Sequence, residues 1–182
     1  FWADLNEERV VISTATINLQ QQLLDNDIPL AREITGRDVK AALVKGRGNY
    51  VCMRRLNEAA QEGTLFENDS AEIELVVAWA AATKTGSRSD LPEYLSNNVW
   101  SRVCSESDSC RGLRCSLRSD CFVFRARKET ASARILITNH HLLFADLAIR
   151  RSGMGKDGTA VLPPYHHIVF DEAHNIERNA TS

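Results

Sequence analysis

The residues best suited to chemistry are the five cysteines, and they fall in two places. Cys52 stands alone, while Cys104, Cys110, Cys115 and Cys121 lie within VCSESDSCRGLRCSLRSDC, residues 103–121. The last three are spaced C-x4-C-x5-C, and a thiolate from Cys52 would complete a four-cysteine set of the kind that holds an iron-sulfur cluster. Three other uses compete. Disulfides require an oxidising compartment and usually an even count, and the count here is odd. Structural zinc usually takes two close C-x2-4-C pairs, whereas here one remote cysteine joins a wider triplet. Reduced thiols can also act as small buried hydrophobes, but Asp108, Arg111, Arg114, Arg118 and Asp120 make the segment polar. Spacing alone leaves iron-sulfur and zinc both open.

A second constellation closes the chain in HHIVFDEAHNIE, residues 166–177. Ile168, Val169 and Phe170 read as a buried strand, with Asp171 and Glu172 at its carboxyl end, where open α/β sheets bind ligands. Two adjacent carboxylates there can divide the work of phosphoryl transfer. Asp171 would hold Mg²⁺ bridging the phosphates of ATP, and Glu172 would polarise the attacking water. A bare acidic pair would be an ordinary surface feature; the preceding strand, and His174 completing DEAH, favour the specific reading. The loop RSGMGKDGT does not supply a Walker A, because Arg150 stands where G-x4-G-K-[ST] needs its first glycine and Asp157 follows Lys156. It reads as a surface connection.

Several elements must position these groups. RVVIST is a β-branched strand, and Thr14-Ala15-Thr16 leads from it into the helix INLQQQLL, which Asp25, Asn26, Asp27 and Pro29 should end. AALVKGRGNYVCMRRL carries Cys52 in a basic, glycine-bearing loop, where Tyr50 suits a core or rim position better than base stacking. An acidic helix begins near Asp69, which can cap it with Glu72 three residues on. It buries Ile73, Leu75, Val76, Val77, Trp79 and Ala80, and stops at Gly86. SRSDLPEYLSNNVWSRV should give a short packing helix with Leu91, Leu95 and Val99 on one side. FVFRARKETASA reads as a basic helix, RILIT as a second buried strand, and Asn139 as the cap of a helix HHLLFADLAIRR.

The 182 residues carry a net charge of −2, which alone argues neither for nor against nucleic acid. The charge is uneven. Residues 37–55 hold six basic side chains against one acidic, and residues 111–134 hold seven against two. These segments bear the candidate ligands, so joining the cysteines would assemble a phosphate-binding face that includes Arg47, Arg54, Arg55, Arg111 and Arg114; the competing reading is a solvated face balanced by acidic neighbours. No apolar run approaches the roughly 18 residues of a membrane span, and no leader is evident, so a cytoplasmic protein without membrane partners is expected. The start at Phe1 and the stop soon after DEAH suggest an excerpt of something longer.

Read together and in this order, STATINLQQQLL, KGRGNYVCMRRL, the C-x4-C-x5-C triplet, TNHHLLFADL and FDEAH resemble the iron-sulfur DNA helicases of superfamily 2, in the bacterial DinG-like branch related to XPD. The resemblance covers nearly the whole chain. It implies an α/β fold: a RecA-like parallel-sheet motor domain, incomplete here and split between residues 1–40 and 126–182, interrupted by a mostly helical iron-sulfur cluster domain at 41–125. It implies that Cys52, Cys110, Cys115 and Cys121 hold a 4Fe-4S cluster with Cys104 a spare, that Asp171 and Glu172 serve Mg²⁺ and water, and that His174 couples nucleotide state to a second motor domain. Thr14 and Thr16 match motif Ia positions that face DNA. The parent would then be an ATP-dependent DNA helicase serving DNA repair, tracking single-stranded or forked DNA with 5′ to 3′ polarity. This chain alone, without Walker A or a second motor domain, should be inactive. A non-catalytic, zinc-stapled nucleic-acid-binding module is the alternative.

Overall fold

A computed structural model describes residues 2–62, 67–91, 94–152 and 161–176. In chain order the regular elements are α1 (Trp2–Leu5), β1 (Val10–Thr14), α2 (Ile17–Gln22), α3 (Ile28–Thr35), β2 (Ala41–Leu43), α4 (Met53–Gln61), α5 (Glu67–Ala82), α6 (Asn97–Val103), α7 (Phe122–Ser132), β3 (Ile135–Asn139), α8 (His140–Arg151) and β4 (His167–Phe170). They divide into two compact units, residues 1–45 with 128–182 and residues 46–127.

The first unit is the expected α/β layer. Its four strands run in the order β2-β3-β1-β4, every pairing parallel. Parallel strands are covered on both faces and so read as continuous apolar runs. Accordingly Val11, Leu136 and Ile137 are fully buried, and Ala42, Val44, Ala133, Leu143 and Leu162 join Val11 and Leu136 in one core. Each leucine buried in this way contributes about 1.5–3 kcal/mol. Residues 41–43, grouped with the cysteine segment in the sequence reading, form β2 and pair with β3 in this unit. Asp146, fully buried in α8, accepts hydrogen bonds from the main-chain N–H of Val161 and Leu162, both at 2.9 Å, and so holds the stretch that leads into β4.

Two sequence expectations for this unit fail. The helix after β1 does not end at Asp25–Pro29: one wide turn over Leu23–Asp27 carries it into α3. Pro29 sits in the first turn of α3, where its missing N–H has no partner to lose, and the chain stops only at Gly36, in the left-handed region. Nor is β4 a buried strand. It lies at one end of the strand order, Val169 is 50% exposed, and Ile168 and Phe170 are only partly buried against the core.

The second unit is helical, with a core built from Val51, Leu56, Ile73, Val76, Leu95, Val99, Trp100, Val103 and Phe122 among others. Tyr50 belongs to that core, in line with the packing reading and against base stacking. The buried stripe of α5 is narrower than expected: Ile73, Val76 and Ala80 are buried, Leu75 and Trp79 partly so, and Val77 is exposed. The helix begins at Glu67, so Asp69 falls inside its first turn and not at the cap. α6 starts at Asn97, later than Leu91-Leu95-Val99 suggested, because Ser96 is its cap and accepts from the Val99 N–H at 3.2 Å. Pro92 lies outside the described residues, as does most of the RSGMGKDGT loop. Gly86 has φ of +64°, and a Cβ there would sit 2.2 Å from the Phe122 ring.

Candidate functional site

Cys52 is anchored by three extended segments of the second unit. Val51 donates its N–H to the Gly86 carbonyl at 3.0 Å, Cys52 to Val103 at 2.8 Å, and Ser105 to Tyr50 at 2.9 Å. Cys52 then stands immediately before α4, partly exposed. Cys110 is exposed, Cys115 ends a single 3₁₀ turn, and Cys121 precedes α7, both of the latter partly buried. Cys104 differs. It is buried in the core, and its Sγ lies 3.7 Å from the Ser101 carbonyl.

Two guanidiniums lie in the neighbourhood of the four remaining thiols. Arg54 lies near Cys52 and Cys115, and the exposed Arg127 near Cys110 and Cys121. Among the described residues no three Cys, His, Asp or Glu side chains converge closely enough to hold a metal. The donor set still suits a thiolate-bound group. Cys110 accepts the Gly112 N–H at 3.4 Å, and that bond, with Arg47 and Arg127 nearby, pulls its thiol below the usual range despite some burial. Burial pushes the Cys104 thiol up, which favours a protonated, non-ligating sulfur.

The arginines that flank Cys52 are committed to main-chain carbonyls. Arg47 donates to Glu106 at 3.2 Å, Arg54 to Ser109 at 2.8 Å, and Arg55 to Cys104 at 3.0 Å and Ser101 at 2.7 Å. Arg54 also meets both carboxylate oxygens of Glu58, and Arg55 meets Glu106 at 2.5 Å. These three side chains brace the chain as it enters the cysteine triplet. Arg111 and Arg114 are exposed, and among the described residues neither has an ion-pair partner.

In the first unit the carboxyl ends of β1 and β4 meet. Asp171 continues the ladder by donating its N–H to the Ser13 carbonyl at 2.8 Å. Glu172 follows in the left-handed region, φ 50° and ψ 51°, and its N–H donates to Asp171 Oδ1 at 3.1 Å. Such a backbone is costly for a residue with a side chain and persists only where its surroundings hold it. The turn leaves Glu172 and His174 exposed and Asp171 half-buried. Thr14 is buried and donates its hydroxyl to the Thr16 carbonyl, whereas Thr16 is exposed and its hydroxyl caps α2. Of the two threonines, Thr16 alone offers surface.

No protein-family model matches the chain. Among curated proteins, it is 36% identical over 171 residues to the ATP-dependent DNA helicase YoaA of Haemophilus influenzae, covering 93% of this chain and 26% of the relative. It is 37% identical over 193 residues to the ATP-dependent helicase DinG of Mycobacterium tuberculosis, covering 95% of this chain and 28% of the relative. Over nearly its whole length the chain is similar to a segment of the DinG-like helicases. It spans about a quarter of the length of those two relatives. A further relative, the DinG of Bacillus subtilis, is named a 3′-5′ exonuclease and is 29% identical over 185 residues, 99% of this chain and 18% of the relative. In this DinG-like chain, sequence reasoning passed over Ser13, His140 and Arg127. Polar residues inside an apolar strand, and the first of two adjacent histidines directly after a strand, were the signals available for the first two. Arg127 gave none, since it looks like any other charge on a basic helix.

Proposed function

We propose that this chain is the cluster-bearing part of the first motor domain of an ATP-dependent DNA helicase, whose longer parent couples ATP hydrolysis to unwinding of single-stranded or forked DNA. One observation carries the reading: Asp171 and Glu172 leave β4 at the carboxyl edge of a parallel sheet, tied to the central strand through Ser13. That is where ligands of open α/β sheets bind. The names of the relatives support the same activity.

In this reading Asp171 holds Mg²⁺, Glu172 orients the attacking water, and His174 passes nucleotide state to the second motor domain. Cys52, Cys110, Cys115 and Cys121 would hold a 4Fe-4S cluster, which when bound supplies a covalent staple and an electron-accepting centre. Arg47, Arg54 and Arg55 brace the ligand loop from behind, while Arg111, Arg114 and Thr16 are left to meet phosphate. The 5′ to 3′ direction follows from the resemblance, and the cytoplasmic setting from the apolar pattern of the sequence. Without a G-x4-G-K-[ST] segment, the chain alone neither binds ATP tightly nor separates strands.

Glu172→Gln in the longer parent tests the assignment. Loss of the group that orients water should lower ATP turnover at least about a hundredfold and leave DNA affinity intact. Turnover within a few-fold of the parent would overturn the phosphoryl-transfer reading.

A further inference from the structure

Behind the acid pair lies a buried polar pair, Ser13 and His140. Ser13 has no exposed surface and His140 is 1% exposed; Ser13 Oγ and His140 Nδ1 are 2.7 Å apart. The other ring nitrogen, Nε2, is buried with no hydrogen-bond partner, which is uncommon for a polar atom out of water. The ring centroid lies 6.1 Å from that of Phe170, the residue just before Asp171. Burial holds the imidazole below its usual range, opposed by the Asp171 main chain and by the Asp171 and Glu172 carboxylates. Ser13 therefore acts twice: its carbonyl takes the Asp171 N–H, and its hydroxyl fixes the histidine.

We propose that Ser13 and His140 are positioning residues for the Asp171–Glu172 turn, with His140 Nε2 as the atom that engages the turn once nucleotide is seated. The inference rests on the phosphoryl-transfer reading given above. It explains why an unpartnered nitrogen is kept buried near a residue in the left-handed region: a turn of that conformation must be held from behind.

The test uses the longer parent with Ser13→Ala, His140→Phe and His140→Asn, each compared with Glu172→Gln. Expected for Ser13→Ala and His140→Phe is a tenfold or greater fall in kcat, with KM for ATP and DNA affinity within about twofold. The double variant should lose no more than the worse single one, and His140→Asn, which keeps a hydrogen-bonding amide, should recover part of the loss. A second readout is independent of turnover. In the Glu172→Gln background, adding His140→Phe should weaken the Mg²⁺ dependence of fluorescent-nucleotide binding at least fivefold. If Glu172→Gln abolishes turnover while both single variants retain kcat within twofold, the positioning role is wrong and the reading beneath it stands. If Glu172→Gln itself turns over normally, both fall. Should His140→Phe fail to fold, Ser13→Ala and His140→Asn decide by the same criteria.

Discussion

Cys104 and Cys110 lie six residues apart and occupy opposite environments. Cys104 is in the core with its thiol pushed up by burial; Cys110 is exposed with its thiol pulled down by the Gly112 N–H. In metal-free protein, alkylation mapped by mass spectrometry should therefore modify Cys110 first and persist to lower pH than for an ordinary thiol, with Cys104 modified last. Cys104→Ala should retain bound iron, and Cys110→Ser should lose it. Equal protection of both thiols would remove the distinction between ligand and spare. The sequence separated these two cysteines only through resemblance, because spacing cannot report which sulfur is turned into a core. The same blindness hid the commitments of Arg47, Arg54 and Arg55. In sequence they are three more charges of a basic segment, and only the fold shows their guanidiniums spent on carbonyls.

At the scale of elements, Gly86 sets the close approach that the second unit needs. It returns the chain after α5, its carbonyl receives the Val51 N–H beside Cys52, and its missing side chain leaves room for Phe122. Gly86→Ala combines left-handed strain with a clash against an aromatic ring, and should cost about 2–5 kcal/mol of stability. A denaturant titration would check it, and adding Phe122→Leu should recover part of the loss. A midpoint unchanged by Gly86→Ala would mean that the backbone there is easily rearranged. The strands β1 and β3 and the cap of α8 were legible in sequence, since an uninterrupted β-branched run and an asparagine before a helix have direct local causes. The α2–α3 continuation and the exposure of β4 were not. One depends on a widened turn that lets Pro29 enter a first turn, and the other on the position of β4 in the strand order, which periodicity does not encode.

For the whole molecule, the proposed staple joins Cys52 to Cys121 across 69 positions. The logarithmic part of closing so long a loop is roughly 4 kcal/mol, which iron-thiolate bonds would offset. If the exposed Arg111 and Arg114 meet phosphate in the parent, replacing both with alanine should reduce the slope of log affinity for single-stranded DNA against log salt by about 1.4, or roughly 0.7 for each contact removed. An unchanged slope would place the phosphate contacts elsewhere. The staple itself is tested most directly by iron, zinc and acid-labile sulfide content, with a visible absorption spectrum, on protein purified without oxygen. The account predicts about four iron and four sulfide per chain with a brown colour. One zinc per chain with no sulfide would contradict it.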